Sequence, residues 1–325
     1  MEPSPIRVGI AGFGMSGQLF HAPFLDADPR FEIRKVFERS TSRAESEYPY
    51  IETVQSYDAL LADDIDLVIL CTPNAQHTPM ARQALEAGKH VITEKPAAAS
   101  SDEVRELAEF ARGKGLLYTV FQNRRLDGDF LTVQELIRSG ALGEIVDYEA
   151  HFDRFVTGAD PKPWRQAGGP GVGILWDLGV HLIDQAYVLF GMPDEVFAEF
   201  RKLRPETPGA DRVTAELYYS VPDHGGPGLR AVLSMSEVTA WPGPRFTVHG
   251  TKGSFLKYGT DPQEAALAAG TRPPAGGSPA ERQAGWGADD PAFYGTLACV
   301  EEGGRITPEP FATIPGDYAR YYDNV

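Results

Sequence analysis

Short apolar runs alternate with stretches of helical spacing over the first third of the chain. Such runs are typical of strands buried on both faces, and the stretches between them predict helices. The predicted strands are Arg7 to Ala11, Glu32 to Phe37, Asp66 to Thr72, His90 to Thr93 and Leu117 to Phe121. The predicted helices are Thr78 to Ala87 and Ser101 to Lys114, which end beside the glycines Gly88 and Gly115. This alternation predicts an α/β fold, with residues 1–122 forming a doubly wound parallel sheet.

A different pattern follows in residues 123–325, where longer strands alternate apolar and polar positions. Val213 to Val221 and Leu229 to Ser236 read as antiparallel strands with one buried and one polar face. Two helices are predicted beside them, at Leu131 to Ser139 and Leu175 to Phe190. We therefore expect a second, α+β domain with a large mixed, mostly antiparallel sheet. Its polar face is left to water or to a second copy of the chain.

One stretch carries neither periodicity. Gly259 to Pro291 is rich in Gly, Pro and Ala, and it predicts a long surface loop.

Composition limits the classes of partner. The 325 residues carry a formal net charge of −16, which disfavours binding to a phosphate backbone or an anionic membrane. The longest apolar runs are far shorter than the ~20 residues of a membrane span, and the start resembles no signal peptide, so we expect a cytoplasmic protein. Cys71 and Cys299 lack metal-ligand spacing, which predicts free thiols and no metal site.

A glycine-rich turn supplies the first candidate chemistry. Gly12, Gly14 and Gly17 match G-x-G-x-x-G between a predicted strand and a predicted helix, the context in which backbone amides approach a dinucleotide pyrophosphate. Glu38, at the end of the second strand, suits the adenosine ribose and favours NAD. The three residues after it, Arg39, Ser40 and Thr41, are instead suited to the 2′-phosphate of NADP. The choice between NAD and NADP stays open at this stage.

Two further strand ends carry polar residues. Ligands of doubly wound sheets bind outside the carboxyl ends of the strands. Thr72-Pro73-Asn74, with His77 one turn later, follows the third strand, and Glu94-Lys95-Pro96 follows the fourth. A lysine at this place reaches the nicotinamide end of a dinucleotide, where it can polarise or deprotonate a substrate hydroxyl. The alternative is that Lys95 is only a solvated surface lysine.

The remaining candidate site lies on the predicted helix Leu175 to Phe190. Asp177 and His181 are four residues apart and so share one helical face. Histidine suits a general base because its ordinary pKa lies near working pH. Two ligands make an incomplete metal site. A structural ion pair or helix cap remains an equal alternative for this motif taken alone.

Together these motifs resemble the glucose–fructose oxidoreductase and inositol dehydrogenase family, Gfo/Idh/MocA, in order and spacing. The resemblance extends through Gln122 to Arg125, Trp164-Arg165 and Phe246 to Gly259, and is greatest with the subgroup that contains the NADP-dependent scyllo-inositol 2-dehydrogenase. It implies an N-terminal Rossmann domain and a homodimer or homotetramer formed through the C-terminal sheet. Family members continue past Val325, so a final helix is expected to be missing here.

The resemblance also implies residue roles. Lys95, Asp177 and His181 are the implied catalytic residues. The implied cofactor positions are Gly9, Gly12, Phe13, Gly14, Met15, Ser16, Glu38, Arg39, Ser40, Thr72, Pro73, Asn74, His77, Glu94, Lys95 and Asn123. The implied substrate positions are Lys95, Arg124, Trp164, Arg165, Asp177 and His181.

The expected reaction is reversible hydride transfer between a secondary hydroxyl of a cyclic polyol or sugar and a nicotinamide. Trp164 and Trp286 can stack on a sugar face, although tryptophan is more often packed in a core. Two alternatives remain open. One is a lyase or glycosidase that transfers the hydride only transiently, and the other is a non-catalytic dinucleotide-sensing regulatory protein.

Overall fold

The chain divides into two compact units, each with its own sheet. The computed structural model describes residues 4–158, 171–220, 228–276 and 285–325. The first unit comprises Met1–Asn123, Gln263–Trp286 and Asp317–Val325, and the second comprises Arg124–Pro262 and Gly287–Gly316. Two later segments, Gln263–Trp286 and Asp317–Val325, thus belong to the first unit, whereas the prediction assigned all residues after 122 to the second.

The first unit contains a six-stranded sheet in which every pair of neighbours is parallel. Its order is β3-β2-β1-β4-β5-β6, the doubly wound order of dinucleotide-binding folds. The strands are β1 Ile6–Ala11, β2 Phe31–Phe37, β3 Glu52–Val54, β4 Leu67–Leu70, β5 His90–Thr93 and β6 Tyr118–Val120. This confirms the α/β fold class. The sequence pattern missed β3, which is too short to show a period.

Helices flank this sheet. They are α1 Ala22–Ala27, α2 Arg43–Glu47, α3 Tyr57–Leu60, α4 His77–Glu86 and α5 Ser101–Gly113. A π-helical turn, Gly17–His21, leads into α1. At the start of α5 the Ser100 hydroxyl accepts a hydrogen bond from the amide of Glu103, which satisfies a backbone donor that the helix leaves unpaired.

The second unit contains an eight-stranded sheet of order β14-β13-β12-β11-β7-β10-β9-β8. Only the pair β10 and β7 is parallel among its described neighbours. The strands are β7 Ile145–Asp153, β8 Glu195–Arg201, β9 Arg212–Tyr219, β10 Leu229–Ser236, β11 Phe246–Gly250, β12 Gly253–Lys257, β13 Gly295–Val300 and β14 Ile306–Phe311. The mixed, mostly antiparallel sheet that the sequence predicts is confirmed.

One face of this sheet is covered by helices α6 (Gly128–Arg138) and α7 (Val180–Phe190). The alternating residues Val213, Ala215 and Leu217 are buried against this core, as their period requires. A π-helical turn, Leu175–Gly179, precedes α7, so the predicted helix from Leu175 to Phe190 is divided into a wider first turn and an α-helical remainder.

The stretch Gly259 to Pro291 is not simply a surface loop, and that prediction was wrong. It contains helix α8 (Gln263–Ala268) and the buried Trp286. The Trp286 indole donates a hydrogen bond to Gln263 Oε1 at 3.0 Å, and its ring meets Phe24 edge-on with centroids 6.2 Å apart. Trp286 is therefore a core residue of the first unit. A last short helix, α9 (Ala319–Tyr322), lies in the same unit.

Both cysteines are free thiols, as predicted. Burial raises the pKa of the Cys71 thiol well above its usual range, so this sulfur stays protonated near neutral pH. No described helix is long and apolar enough to cross a membrane. The described residues also contain no group of three or more His, Cys, Asp or Glu side chains arranged to hold a metal ion.

Candidate functional site

The glycine turn between β1 and α1 has the geometry of a dinucleotide cradle. Gly12 has φ +94°, and a Cβ there would lie 2.8 Å from the carbonyl oxygen of Cys71. A Cβ on Gly17 would lie 2.8 Å from the Gly12 carbonyl, whereas a Cβ on Gly14 would meet open space. The first and third glycines thus permit the tight turn and its packing on β4. The middle one leaves the exposed backbone open to a pyrophosphate.

The neighbours of these glycines have other tasks. Phe13 is buried, with its ring edge-on to Tyr48, so only its backbone remains for a cofactor. Met15 is exposed beside Gly14. Gly9 lies within β1, where a Cβ would be 3.1 Å from Leu60, and we assign it to packing rather than to ligand contact.

Glu38 at the end of β2 is turned into the protein. Its carboxylate accepts hydrogen bonds from the Thr41 hydroxyl and, at 2.9 Å, from the amide of Ala44 at the start of α2. The side chain is buried, whereas Arg39 and Ser40 are exposed. The Glu38 carboxylate thus accepts from an amide at the N-terminus of α2. The guanidinium of Arg39 and the hydroxyl of Ser40 are exposed at the end of β2.

The ends of β4 and β5 are tied together by His77. Its Nδ1 lies 2.8 Å from the carbonyl oxygen of Pro96, and its Nε2 lies 2.9 Å from that of Thr72. The ring is fully buried. His77 therefore holds the segment that contains Lys95, and we assign it to this task rather than to direct contact with a dinucleotide.

Glu94 and Lys95 follow β5 directly. Glu94 is buried, and its Oε2 accepts a hydrogen bond from the backbone amide of Lys95 at 3.1 Å. Its Oε1 accepts hydrogen bonds from the Ser16 hydroxyl and from Nε2 of His21 at 3.1 Å. The peptide bond between Lys95 and Pro96 is cis. The first unit thus brings the glycine turn and the lysine segment onto one carboxylate.

In the second unit, Asp177 lies in the π-helical turn before α7. Its Oδ2 accepts a hydrogen bond from the Arg154 guanidinium at 2.7 Å. Sequence reasoning missed Arg154, which directly follows β7. The available signal was the alternation of apolar and polar residues in Ile145–Asp153, which predicts a strand that ends beside it.

His181 is the second residue of α7 and is buried. Its ring meets Phe152 edge-on, with centroids 6.2 Å apart. The guanidinium of Arg245 stacks on the Phe152 ring at 4.0 Å and donates to Gln185 Oε1, one turn after His181, at 3.0 Å. Burial lowers the pKa of Arg245 despite the opposing charge of Asp129. Phe152 and Arg245 are further side chains that sequence reasoning missed.

The other predicted positions are distributed as follows. Arg124 lies over the Phe152 ring at 5.1 Å and pairs with Asp127 at 3.3 Å, close to the residues around His181. Asn123 is buried in the short 3₁₀ turn Asn123–Leu126. Trp164 and Arg165 lie outside the described residues. That Asp177 and His181 act in one catalytic site stays a prediction.

Comparisons with known proteins agree with this geometry. Residues 6–122 match the oxidoreductase family with an NAD-binding Rossmann fold, and residues 130–256 match the Gfo/Idh/MocA C-terminal domain. The chain is 39% identical over 318 residues to the uncharacterized oxidoreductase YdgJ of Escherichia coli, covering 98% of this chain and 86% of that one.

It is also 36% identical over 321 residues to the scyllo-inositol 2-dehydrogenase (NADP(+)) IolW of Bacillus subtilis, covering 98% of this chain and 85% of the relative. Among solved structures, the putative oxidoreductase yvaA from B. subtilis superimposes with a TM-score of 0.90 at 36% identity. That match covers 99% of this chain and 88% of the other.

Proposed function

Because this chain belongs to the Gfo/Idh/MocA oxidoreductase family, we propose that it oxidises a secondary hydroxyl of a cyclic polyol or sugar reversibly. The enzyme is an oxidoreductase with a nicotinamide dinucleotide, NAD or NADP, as its cofactor. The observation that carries the proposal is the carboxylate of Glu94, which joins the glycine turn to the segment of Lys95. The name of the relative IolW supports a polyol as the substrate class.

The bound dinucleotide supplies the hydride acceptor for oxidation and the hydride donor for reduction. His181 is the proposed general base, which takes the proton of the substrate hydroxyl on a ring nitrogen. The ammonium group of Lys95 stabilises the negative charge that develops on that oxygen. Asp177, whose carboxylate accepts a hydrogen bond from Arg154, is proposed to orient His181. These roles remain proposals for each residue.

For the cofactor we propose NADP rather than NAD. A carboxylate that faced the ribose would repel a 2′-phosphate, but Glu38 is buried and occupied by Thr41 and the amide of Ala44. Arg39 and Ser40 are exposed beside it and offer the donors that a phosphate needs. The name of the relative IolW, an NADP(+) enzyme, supports the same choice.

The test is nicotinamide absorbance with purified protein, both dinucleotides and a panel of inositols, hexoses and sugar acids in both directions. We expect substrate-dependent reduction of NADP. In Lys95→Met, turnover should fall by about a hundredfold, the equivalent of ~3 kcal/mol of transition-state stabilisation, while the dinucleotide still binds. Turnover close to that of the unmodified protein would refute the role of Lys95. Conversion of substrate without accumulation of reduced dinucleotide would indicate transient hydride transfer instead.

We also propose a homodimer or homotetramer formed through the eight-stranded sheet. Edge strand β8 exposes Val196, Phe197 and Phe200, which are 62%, 60% and 58% accessible. Apolar side chains on an edge strand favour pairing with another chain. Size-exclusion chromatography with light scattering tests this proposal, and a monomer at micromolar concentration would contradict it.

A further inference from the structure

Glu94 is a buried carboxylate that takes no direct part in the proton and hydride transfers of the proposed reaction. Moving an ionised carboxylate out of water is strongly unfavourable unless hydrogen bonds and charges compensate it. Burial by itself would raise the pKa of Glu94, but the His21 imidazole and the Ser16 hydroxyl outweigh burial and hold the pKa below its ordinary value. The carboxylate therefore stays ionised at neutral pH, and its position is strongly constrained by its partners.

The two oxygens of Glu94 hold different parts of the candidate site. Oε1 accepts from the hydroxyl of Ser16, which lies inside the glycine turn. Oε2 accepts from the backbone amide of Lys95 at 3.1 Å. Since both hydrogen bonds end on one rigid carboxylate, a shift of the turn at Ser16 also moves the acceptor of the Lys95 amide.

The carboxylate is itself held from the opposite side. His21 is completely buried, and its Nε2 must carry a proton to donate to Oε1 at 3.1 Å, because a carboxylate only accepts. Nδ1 of the same ring lies 2.7 Å from the hydroxyl of Tyr322 in α9. Phe121 packs against the imidazole with ring centroids 4.3 Å apart, which limits its rotation.

We propose that Glu94 is a positioning residue that couples the dinucleotide turn at Ser16 to the backbone of Lys95, and that His21 and Tyr322 hold it in place. This inference rests on the proposed function for the role of Lys95. The hydrogen bonds themselves lie within the first unit, so the coupling is measurable as dinucleotide affinity without any substrate. Tyr322 thus acts on the dinucleotide through His21 and Glu94.

The chain offers a matched control for the hydroxyl of Tyr322. The adjacent Tyr321 places its hydroxyl 3.2 Å from the carbonyl oxygen of Val120, in β6. Tyr322→Phe and Tyr321→Phe therefore remove the same atom from the same short helix, but only the first removes a partner of His21. Both changes keep the aromatic ring in its packing position, so both variants should fold.

The experiment measures the dissociation constant for NADPH by energy transfer from tryptophan, together with the melting temperature. Tyr322→Phe should weaken binding about fivefold, the effect of one hydrogen bond, and Tyr321→Phe should change it less than twofold. Glu94→Gln should weaken binding at least tenfold. The carboxylate accepts from Ser16, His21 and the amide of Lys95, and the NH2 group of glutamine would face at least one of these donors with a donor of its own. Rescue is expected from Ser16→Thr, which keeps the hydroxyl, relative to Ser16→Ala.

A double-mutant cycle separates coupling from simple loss of stability. Ser16 donates directly to Oε1 of Glu94, and Tyr322 contacts the ring of His21, which donates to the same oxygen. The effects of Ser16→Ala and Tyr322→Phe on affinity should therefore be non-additive, whereas those of Ser16→Ala and Tyr321→Phe should add. Additive effects in both cycles, or an unchanged affinity in Glu94→Gln, would overturn the proposal. If the unmodified protein bound NADPH but oxidised no substrate, the proposed function would fail while these affinities still decided the coupling.

Discussion

The Arg154 guanidinium lies 2.7 Å from the carboxylate of Asp177. Asp177 belongs to the π-helical turn that leads to His181. Both side chains remain partly open to solvent, at 43% and 38%. Exposed pairs of this kind contribute little to stability, with a median near 0–1 kcal/mol, which is roughly the scale of thermal energy. A role for the pair is therefore to be sought in orienting Asp177 rather than in holding the fold.

Arg154→Met should lower kcat by about tenfold, because Asp177 loses the guanidinium that orients its carboxylate; this fold-change corresponds to ~1.4 kcal/mol in the barrier. Dinucleotide affinity should not change, since we assign Arg154 to orienting Asp177. Steady-state kinetics with the best substrate of the panel give the measurement.

Arg125→Met is the matched control for Arg154. Arg125 makes an equally short ion pair with Asp184 on α7, with two hydrogen bonds of 2.7 and 2.6 Å. We expect this variant to keep its kcat within about twofold, as for a surface ion pair. Equal losses in both variants would mean that the arginines act on the helix as a whole and not on Asp177.

Arg39→Ala should weaken NADPH binding about tenfold and leave NADH binding unchanged. The reason is the loss of a guanidinium that pairs with the 2′-phosphate, an interaction of ~1.4 kcal/mol. Competition titrations with both reduced dinucleotides provide the test. Arg34→Ala, which removes an exposed arginine paired with Glu32 within β2, serves as the control and should affect neither. An equal loss for both dinucleotides would contradict the assignment to the phosphate.

Gly179→Ala should destabilise the second unit by about 1–3 kcal/mol, because the new Cβ would lie 2.6 Å from Met235 Sδ and 2.8 Å from Leu175. Met235 is fully buried and cannot swing out into water. Urea unfolding measures the change.

Gly113→Ala near the end of α5 is the control. Its new Cβ would meet no atom within 4 Å, so this variant should be neutral or stabilising by up to ~1 kcal/mol. A Gly179→Ala variant as stable as the unmodified protein would show that the helix moves freely on β10.

Asp66→Asn should lower stability more at neutral pH than in acid. The hydrogen bond and charge of Arg7 lower the pKa of Asp66 to about 2, against an ordinary value of 3.8. A lowered folded-state pKa adds stability above the unfolded value, and that stability is lost as pH falls from about 4 towards 2. Because both side chains are more than a third exposed, we expect no more than about 1 kcal/mol.

Urea unfolding of Asp66→Asn and of the unmodified protein at pH 7 and pH 3 checks this sign. The gap between the two proteins should narrow at the lower pH. The exposed Asp63, changed to Asn, controls for general effects of charge. A gap that widens in acid would mean that the pair with Arg7 is not the source of the stability.

The positions along the chain of the five strands predicted for the first unit follow directly from local sequence. Buried parallel strands are continuous apolar runs, so Leu67–Leu70 and His90–Thr93 are visible without a structure, and the glycine turn is visible because only glycine tolerates its geometry. The helix ends at Gly88 and Gly115 are also predictable from local sequence. Both glycines have positive φ, a conformation that glycine adopts more readily than other residues. Strand β3 carries no such signal.

Contacts between distant segments were beyond any periodic pattern. His21 and Tyr322 are 301 residues apart, and nothing in the spacing of either predicts that they share a hydrogen bond. The same holds for Trp286, whose Gly- and Pro-rich surroundings suggested a loop although its indole is buried against Phe24. Such packing depends on which elements meet in space.

The parallel sheet, the dinucleotide turn and the candidate residues at the strand ends were all predictable from sequence, because each depends on the chemistry of neighbouring residues. Three contacts became visible in the folded chain alone: Glu38 caps a helix, His77 joins two loops, and Arg154 holds Asp177. A side chain's hydrogen-bond partners depend on the packing of the whole unit, which a local pattern does not encode.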